Sequence, residues 1–297
     1  MAKRLLWPLL PGVLALMAGA GAMLAGPATR TKAFFAMQRA WAAHWPLEHG
    51  ILLPAVLEPP FEPFVPVWVQ VEPHIKMLLD PNDLLSRRIL ETGVWEPDSW
   101  RAMREHLHPG DTFVDVGAHI GYYSLKAATV VGPGGHVIAV EPNPETVRKL
   151  QGNISASGAS GVIAVAPVAC SDAEATLELF AAPESNTGET SLSRANASQT
   201  GAVVTTYRVR ARPLDDIIRE TGVSRADVLK IDVEGAEYLV LKGAEQTLTR
   251  YHPVVIVELV ESQLQAMGTS TAAVTALLRS HGYTWKHSYG SNFEFAQ

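Results

Sequence analysis

The chain has 297 residues, of which 47% are hydrophobic and 18% charged, with a formal net charge of -6. That balance excludes a disordered chain, and the lack of long like-charge runs argues against nucleic-acid binding. Cys170 is the single cysteine, which excludes an internal disulfide and a cysteine-built zinc site.

Lys3 and Arg4 precede an uncharged run from Leu5 to Gly26. A run of about 20 apolar residues has the length of a membrane span. Three readings compete for it. It is a secretory signal cleaved near Ala20 or Ala22, a retained anchor, or an over-extended gene start with translation beginning at Met17, Met23 or Met37. Membrane association through residues 5–26 carries the most weight. Residues 1–30 are thus a hydrophobic N-terminal segment, and residues 31–92 an extension.

Within the extension, Phe34, Phe35, Met37 and Trp41 recur at helical spacing. Pro54, Pro59, Pro60, Pro63, Pro66 and Pro73 follow. Proline lacks an amide donor, so this stretch predicts an irregular linker or covering arm, with Val67, Trp68 and Val69 among its packing residues. Asp83 to Leu90 and Asp98 to Leu107 predict short helices, the second capped by Asp98.

The pattern changes after Asp111. Apolar strands are predicted at Thr112–Val116, Val137–Glu141, Val162–Val168, Asp227–Asp232 and Val254–Glu258. Helices are predicted near Tyr122–Val130, Pro144–Ser155, Leu214–Glu220, Ala236–Thr249 and Thr271–His281. The alternation predicts an α/β fold, a mostly parallel sheet with helices on both faces. Tyr283 to Phe295 predicts a hairpin turning at Gly290, and Thr176–Phe180 with Val203–Arg210 an additional strand pair.

Asp115-Val116-Gly117-Ala118-His119-Ile120-Gly121 follows a strand and opens a helix. Such a loop sits where open α/β sheets bind ligands. Gly117 permits the turn and a close approach, and Gly121 permits tight helix packing. The spacing is not the G-x-G-x-x-G of dinucleotide folds. A carboxylate at Asp115 would repel a pyrophosphate, but it attracts the ammonium and sulfonium of S-adenosylmethionine. Glu141 ends the second strand about 20 residues on, where a carboxylate accepts from ribose hydroxyls. His119 lies in the same cofactor loop, more as a bystander than a catalyst. Asp172, beyond the third strand, is a candidate adenine contact.

Lys230-Ile231-Asp232-Val233-Glu234-Gly235-Ala236-Glu237 is the second cluster. Lys230, Asp232 and Glu234 share one side of a strand, and three buried charges there are costly without partners. The segment must therefore leave the sheet at the ligand end. Asp232 is the first candidate for the catalytic base, and Glu258, ending the fifth strand, is the second. Lys230 and Glu234 are candidate substrate contacts. Glu234 also has the alternative of capping the next helix, and Lys230 that of pairing with Asp232. No metal is assigned. A magnesium-like ion held by Asp232 and Glu234 is the lesser alternative.

From Gly93-Val94-Trp95-Glu96 to near the C-terminus the chain resembles the FkbM family of methyltransferases. The resemblance is strongest in Pro109–Ser124, Glu141-Pro142-Asn143 and Lys230–Glu237. It implies a class I methyltransferase fold over residues 93–297, a Rossmann-like seven-stranded sheet with an antiparallel last strand. It also implies S-adenosylmethionine as cofactor and O-methylation of hydroxyls on small-molecule natural products or glycans, while a membrane-held N-terminal segment would suit a lipid-linked acceptor. His119 stands where the family usually has asparagine. S-adenosylmethionine is made in the cytosol, so the catalytic domain is expected there, anchored at the inner face of a membrane. The rivals are an NAD-dependent oxidoreductase on a similar sheet and a non-catalytic, membrane-tethered cofactor-binding protein.

Overall fold

Residues 26–44, 65–181, 184–198 and 205–297 are described by the computed structural model. Leu5–Ala25 and the prolines from Pro54 to Pro63 lie outside the described residues. Among the described residues no helix is long and apolar enough to cross a membrane. The described residues fall into two compact units, one within Met1–Val71 and Leu78–Trp95, the other comprising Glu72–Met77 and Glu96–Gln297.

In the first unit, α1 (Pro27–His44) packs against α2 (Leu84–Thr92). Phe34 and Phe35 of α1 are buried, their rings edge to face at 5.2 Å. The Asp83 carboxylate caps α2 by accepting from Ser86 N at 3.0 Å, and Gly93, at φ 83, ends it. The expected linker over Val67–Val69 is instead a strand, β1 (Val67–Glu72), which pairs with β2 (Ile75–Leu79) around His74. The prolines stop at Pro66 and resume only at Pro73, so β1 keeps every amide donor.

The second unit opens with α3 (Pro97–Glu105), and here the predicted cap is corrected. Pro97 takes the first helical position, Glu96 the cap position at φ 37, and Asp98 the first turn, where it pairs with Arg101. The sheet then follows: β3 (Thr112–Val116), β4 (His136–Val140), β5 (Ile163–Ala166), β9 (Val228–Ile231), β10 (Val254–Glu258), β11 (Thr284–Tyr289) and β12 (Asn292–Ala296). Their spatial order is β5-β4-β3-β9-β10-β12-β11. The contacts from β5 to β10 are parallel, and β12 runs antiparallel between β10 and β11. This is the expected class I architecture. The C-terminal hairpin forms as predicted, but the last strand inserts inside the sheet and β11 becomes its edge.

Every residue of β3 is buried, which the continuous apolar run encodes. Helices α4 (Tyr122–Val131) and α5 (Pro144–Ala156) link β3, β4 and β5. The strand order departs in opposite directions from β3 and β9, so the gap between their carboxyl ends is the topological switch point.

Two predicted elements break where local chemistry demands it. The third strand stops at Ala166 because Pro167 has no donor. The chain then forms the short β6 (Ala169–Cys170), which joins β7 (Ala175–Ala181) and β8 (Thr205–Arg212) in a separate three-stranded sheet. The helix predicted over Ala236–Thr249 divides into α8 (Glu237–Lys242) and α9 (Glu245–Tyr251). At Gly243, between them, a Cβ would lie 2.1 Å from the Ser171 carbonyl oxygen. Among the remaining helices are α6 (Arg194–Ala197), α7 (Leu214–Thr221), α10 (Glu261–Ala266) and α11 (Thr271–Ser280), of which α6 and α10 had no counterpart in the sequence reading.

Candidate active site

The turn after β3 is held by backbone and shape. Gly117 N and Ala118 N each donate to the Val140 carbonyl at 3.0 Å. Gly117 has φ 83, and a Cβ on it would lie 1.8 Å from the carbonyl oxygen of Asp232. What approaches this glycine so closely is the chain leaving β9. At Gly121, φ 91, a Cβ would lie 2.6 Å from Leu150 Cδ1, so the glycine lets α4 seat against α5. His119 has φ 50. Its amide donates to the Glu141 carboxylate at 2.9 Å, and its ring Nε2 lies 2.8 Å from Thr187 Oγ1.

Glu141 is buried, and each of its oxygens receives one backbone amide, from His119 and from Asn143, both at 2.9 Å. Burial outweighs these bonds and pushes its carboxyl up to about 7. Each carboxylate oxygen has a second lone pair, so the group remains able to accept from a vicinal diol.

Asp115 and Lys230 face each other in the register of β3 and β9. Lys230 Nζ lies 3.6 Å from Asp115 Oδ1, 3.2 Å from Asp232 Oδ2 and 3.4 Å from the Gly117 carbonyl oxygen. The other Asp115 oxygen accepts from Ser124 Oγ at 2.6 Å. Burial pushes the Lys230 ammonium down, but Asp232 and Asp115 together raise it further, so it stays charged. Of the expected alternatives for Lys230, the pairing with Asp232 is therefore formed.

The chain leaves the sheet at Asp232, as the charge argument required. Glu234 has φ 55 and Gly235 φ 106. A Cβ on Gly235 would lie 2.6 Å from both Asn196 Nδ2 and the Gln263 carbonyl oxygen. The Glu234 carbonyl accepts from Ser191 Oγ at 2.7 Å and from Asn196 Nδ2 at 2.8 Å. The Glu234 carboxylate accepts from Gln263 Nε2. Glu237, not Glu234, ties the turn that leads into α8, accepting from Val233 N at 3.2 Å and Gly235 N at 3.1 Å.

Glu258 comes to the same place from β10. It accepts from Ser291 Oγ at 2.7 Å, and its carboxylate stands close to that of Asp232. One carboxylate oxygen from each of Asp232, Glu234 and Glu258 lies within 4.8 Å of the others, a spacing that a divalent ion could bridge. Burial, reinforced by the Asp232 charge, pushes the Glu234 carboxyl up to about 9 and the Glu258 carboxyl up to about 8.

Asp115, Gly117, His119, Gly121, Glu141, Lys230, Asp232, Glu234 and Glu258 thus surround the carboxyl ends of β3, β4, β9 and β10. Asp172 does not stand with them. It is exposed beyond β6 and bonded to Ser171 Oγ at 3.1 Å. The strand expected to carry it toward the cofactor ends early, at Pro167. The sequence reading gave no role to Glu96, Tyr123, Asn196, Gln263, Ser291 or Asn292. The Tyr122-Tyr123-Ser124 start of α4 was the available signal for one of them. The others lie on elements that converge only in the fold.

The arrangement suits S-adenosylmethionine. It offers a buried carboxylate with spare acceptor capacity at Glu141, a turn without side-chain bulk at Gly117, and acidic groups near the switch point. Residues 115–284 match the model of the Methyltransferase FkbM domain. The 31-O-demethyl-FK506 methyltransferase FkbM of Streptomyces tacrolimicus is 32% identical over 203 residues, covering 60% of this chain and 74% of that protein. The AMB antimetabolite synthetase AmbE of Pseudomonas aeruginosa is 28% identical over 207 residues, but this chain spans only 10% of its length. The hexuronic acid methyltransferase AglP of Haloferax volcanii is 27% identical over 161 residues, 54% of this chain and 61% of that protein. The chain belongs to the FkbM family of S-adenosylmethionine-dependent methyltransferases.

Proposed function

We propose that the protein moves the methyl group of S-adenosylmethionine to a hydroxyl of a small molecule, glycan or lipid-linked acceptor. The observation that carries this reading is the carboxylate cluster of Asp232, Glu234 and Glu258 beside the Gly117 turn. Bound S-adenosylmethionine supplies an already activated methyl carbon, so the protein has to orient the acceptor oxygen and receive its proton. Orientation of this kind contributes about 7–11 kcal/mol, and a base about 10²–10⁴-fold. As the O–CH₃ bond forms, the electron pair of the S–CH₃ bond returns to sulfur and the hydroxyl proton passes to the base.

Asp232 is the first choice for that base. Burial and the neighbouring Asp232 push the Glu258 carboxyl up to about 8, and Lys230 Nζ lies 3.2 Å from the Asp232 carboxylate. Lys230 and Glu234 flank the acceptor. The relatives named for a 31-O-demethyl substrate and for a hexuronic acid fit an oxygen acceptor bearing several polar groups. The 4.8 Å carboxylate spacing supports a second reading, a magnesium-like ion that activates the hydroxyl.

The acceptor is sought by comparing metabolites of a deletion strain, in which it accumulates one methylene lighter. On that acceptor, Asp232→Asn is expected to cut turnover at least a hundredfold while leaving S-adenosylhomocysteine affinity within a few-fold. Surviving turnover moves the base to Glu258. Activity lost on chelation and restored by magnesium selects the metal reading. Thermal stabilisation by NAD but not by S-adenosylhomocysteine refutes methyl transfer altogether.

The proposal extends to place. A working catalytic unit faces the cytosol, where its cofactor is made, and the apolar run from residue 5 to 26 holds it at the inner face of a membrane. Fractionation that finds the chain free outside the cell, starting between Ala20 and Met23, refutes this.

A further inference from the structure

Glu96 stands immediately before α3, at φ 37 and ψ 67. A non-glycine residue keeps that left-handed conformation only where its surroundings hold it, and such positions cluster at functional sites. The surroundings are specific. Glu96 Oε2 accepts from Tyr123 Oη at 2.9 Å and from Asn292 Nδ2 at 3.2 Å.

Each donor stands beside a neighbour of the carboxylate cluster, Tyr123 beside Lys230 and Asn292 in register with Glu258. Tyr123 is the second residue of α4 and is buried, with its ring centroid 5.2 Å from Lys230 Nζ. Lys230 in turn donates to Asp232. Asn292 is the register partner of Glu258 across β12 and β10, next to Ser291, which donates to the Glu258 carboxylate. One carboxylate oxygen therefore joins the aromatic ring that covers the Lys230–Asp232 pair to the strand that faces Glu258.

We propose that Glu96 is a positioning residue of the methyl-transfer centre. Through Tyr123 it holds the ring against Lys230, and so holds Lys230 against Asp232. Through Asn292 it holds the start of β12 beside Glu258. Neither the glycine turn nor Glu141 bonds to Glu96, so the effect falls on catalysis and not on cofactor binding.

The inference rests on the methyltransferase reading, and its test separates the two. Full-length Glu96→Ala, Glu96→Gln and Tyr123→Phe proteins are compared with the wild type on the acceptor found by metabolite comparison, across the neutral to alkaline range. S-adenosylhomocysteine binding is measured alongside by calorimetry. Glu96→Ala and Tyr123→Phe are expected to lower kcat at least tenfold with KM and S-adenosylhomocysteine affinity within about threefold, the pattern of a lost transition-state contribution. Glu96→Gln keeps an amide oxygen to accept from Tyr123 or Asn292 and restores part of that kcat.

Wild-type kcat in Glu96→Ala overturns the proposal, as does a Glu96→Gln protein no more active than Glu96→Ala. So does joint loss of activity and S-adenosylhomocysteine binding in Glu96→Gln, which marks a purely structural role. A wild-type protein that neither binds S-adenosylhomocysteine nor methylates refutes the methyltransferase reading and the role of Glu96 with it. An active wild type with unaffected variants refutes Glu96 alone.

Discussion

Asp115 and Lys230 oppose each other across adjacent parallel strands, with carboxylate and ammonium 3.6 Å apart and side-chain exposures of 1% and 4%. Burial pushes the Asp115 carboxyl up, against the pull of Lys230 and of Ser124, so the pair is sustained by mutual attraction in a dry site. Removing one member of a buried pair costs about 3–5 kcal/mol, because the other is left uncompensated. Lys230→Met is expected to lose stability on that scale in urea unfolding. Asp115→Asn combined with Lys230→Met should lose less than the sum of the single changes. A double-mutant cycle checks this, and strict additivity would show that the two residues act independently.

Gly117 provides a steric test of the cofactor turn. A Cβ there lies 1.8 Å from the Asp232 carbonyl oxygen, so in Gly117→Ala either the turn or the exit from β9 must move. S-adenosylhomocysteine affinity is expected to fall at least tenfold, a loss of about 1.4 kcal/mol or more. Gly132 is the control. It also has positive φ, 67, but nothing lies within 4 Å of its Cβ position, so Gly132→Ala should bind normally in calorimetry.

Glu141 makes cofactor affinity pH-dependent. Its carboxyl is held up at about 7, chiefly by burial, whereas ribose hydroxyls donate to the ionised form. Affinity should therefore weaken as pH falls below about 7 and level off above it, and Glu141→Gln should remove that dependence. Hydrogen bonds to a charged group contribute about 1.5–3 kcal/mol each, so Glu141→Ala should lower affinity at least tenfold. Unchanged calorimetric affinity would disprove the assignment.

The same group has an opposite signature in folding. The native protein holds a proton that the unfolded chain releases near 4.5, so this contribution is full below that pH and lost as pH rises through about 7. Urea unfolding of the unliganded Glu141→Gln protein should show a flatter decline of stability between those two pH values.

Local pattern was enough for the sheet's central strands. Thr112–Val116 and Val254–Glu258 are apolar runs because parallel strands are covered on both faces, and their bounds agree with the folded strands. Asp115, Glu141 and Asp232 could be assigned to one end of the sheet because each lies at or near the carboxyl end of such a run, where glycine or charge forces the chain out. Pro167 was equally visible, but its consequence, an early end to β5 and the removal of Asp172 from the cofactor side, depended on which sheet received Ala169–Cys170. Glu96 and Asn292 are 196 positions apart in the chain and meet only because β12 inserts beside β10. Gln263 reaches Glu234 from a short helix that no periodicity announced. Which carboxyls are displaced upward was decided by the fold as well. Glu258 and Glu234 are pushed up by burial and by each other's proximity to Asp232, and both desolvation and Coulomb energy depend on distances that the order of residues leaves open.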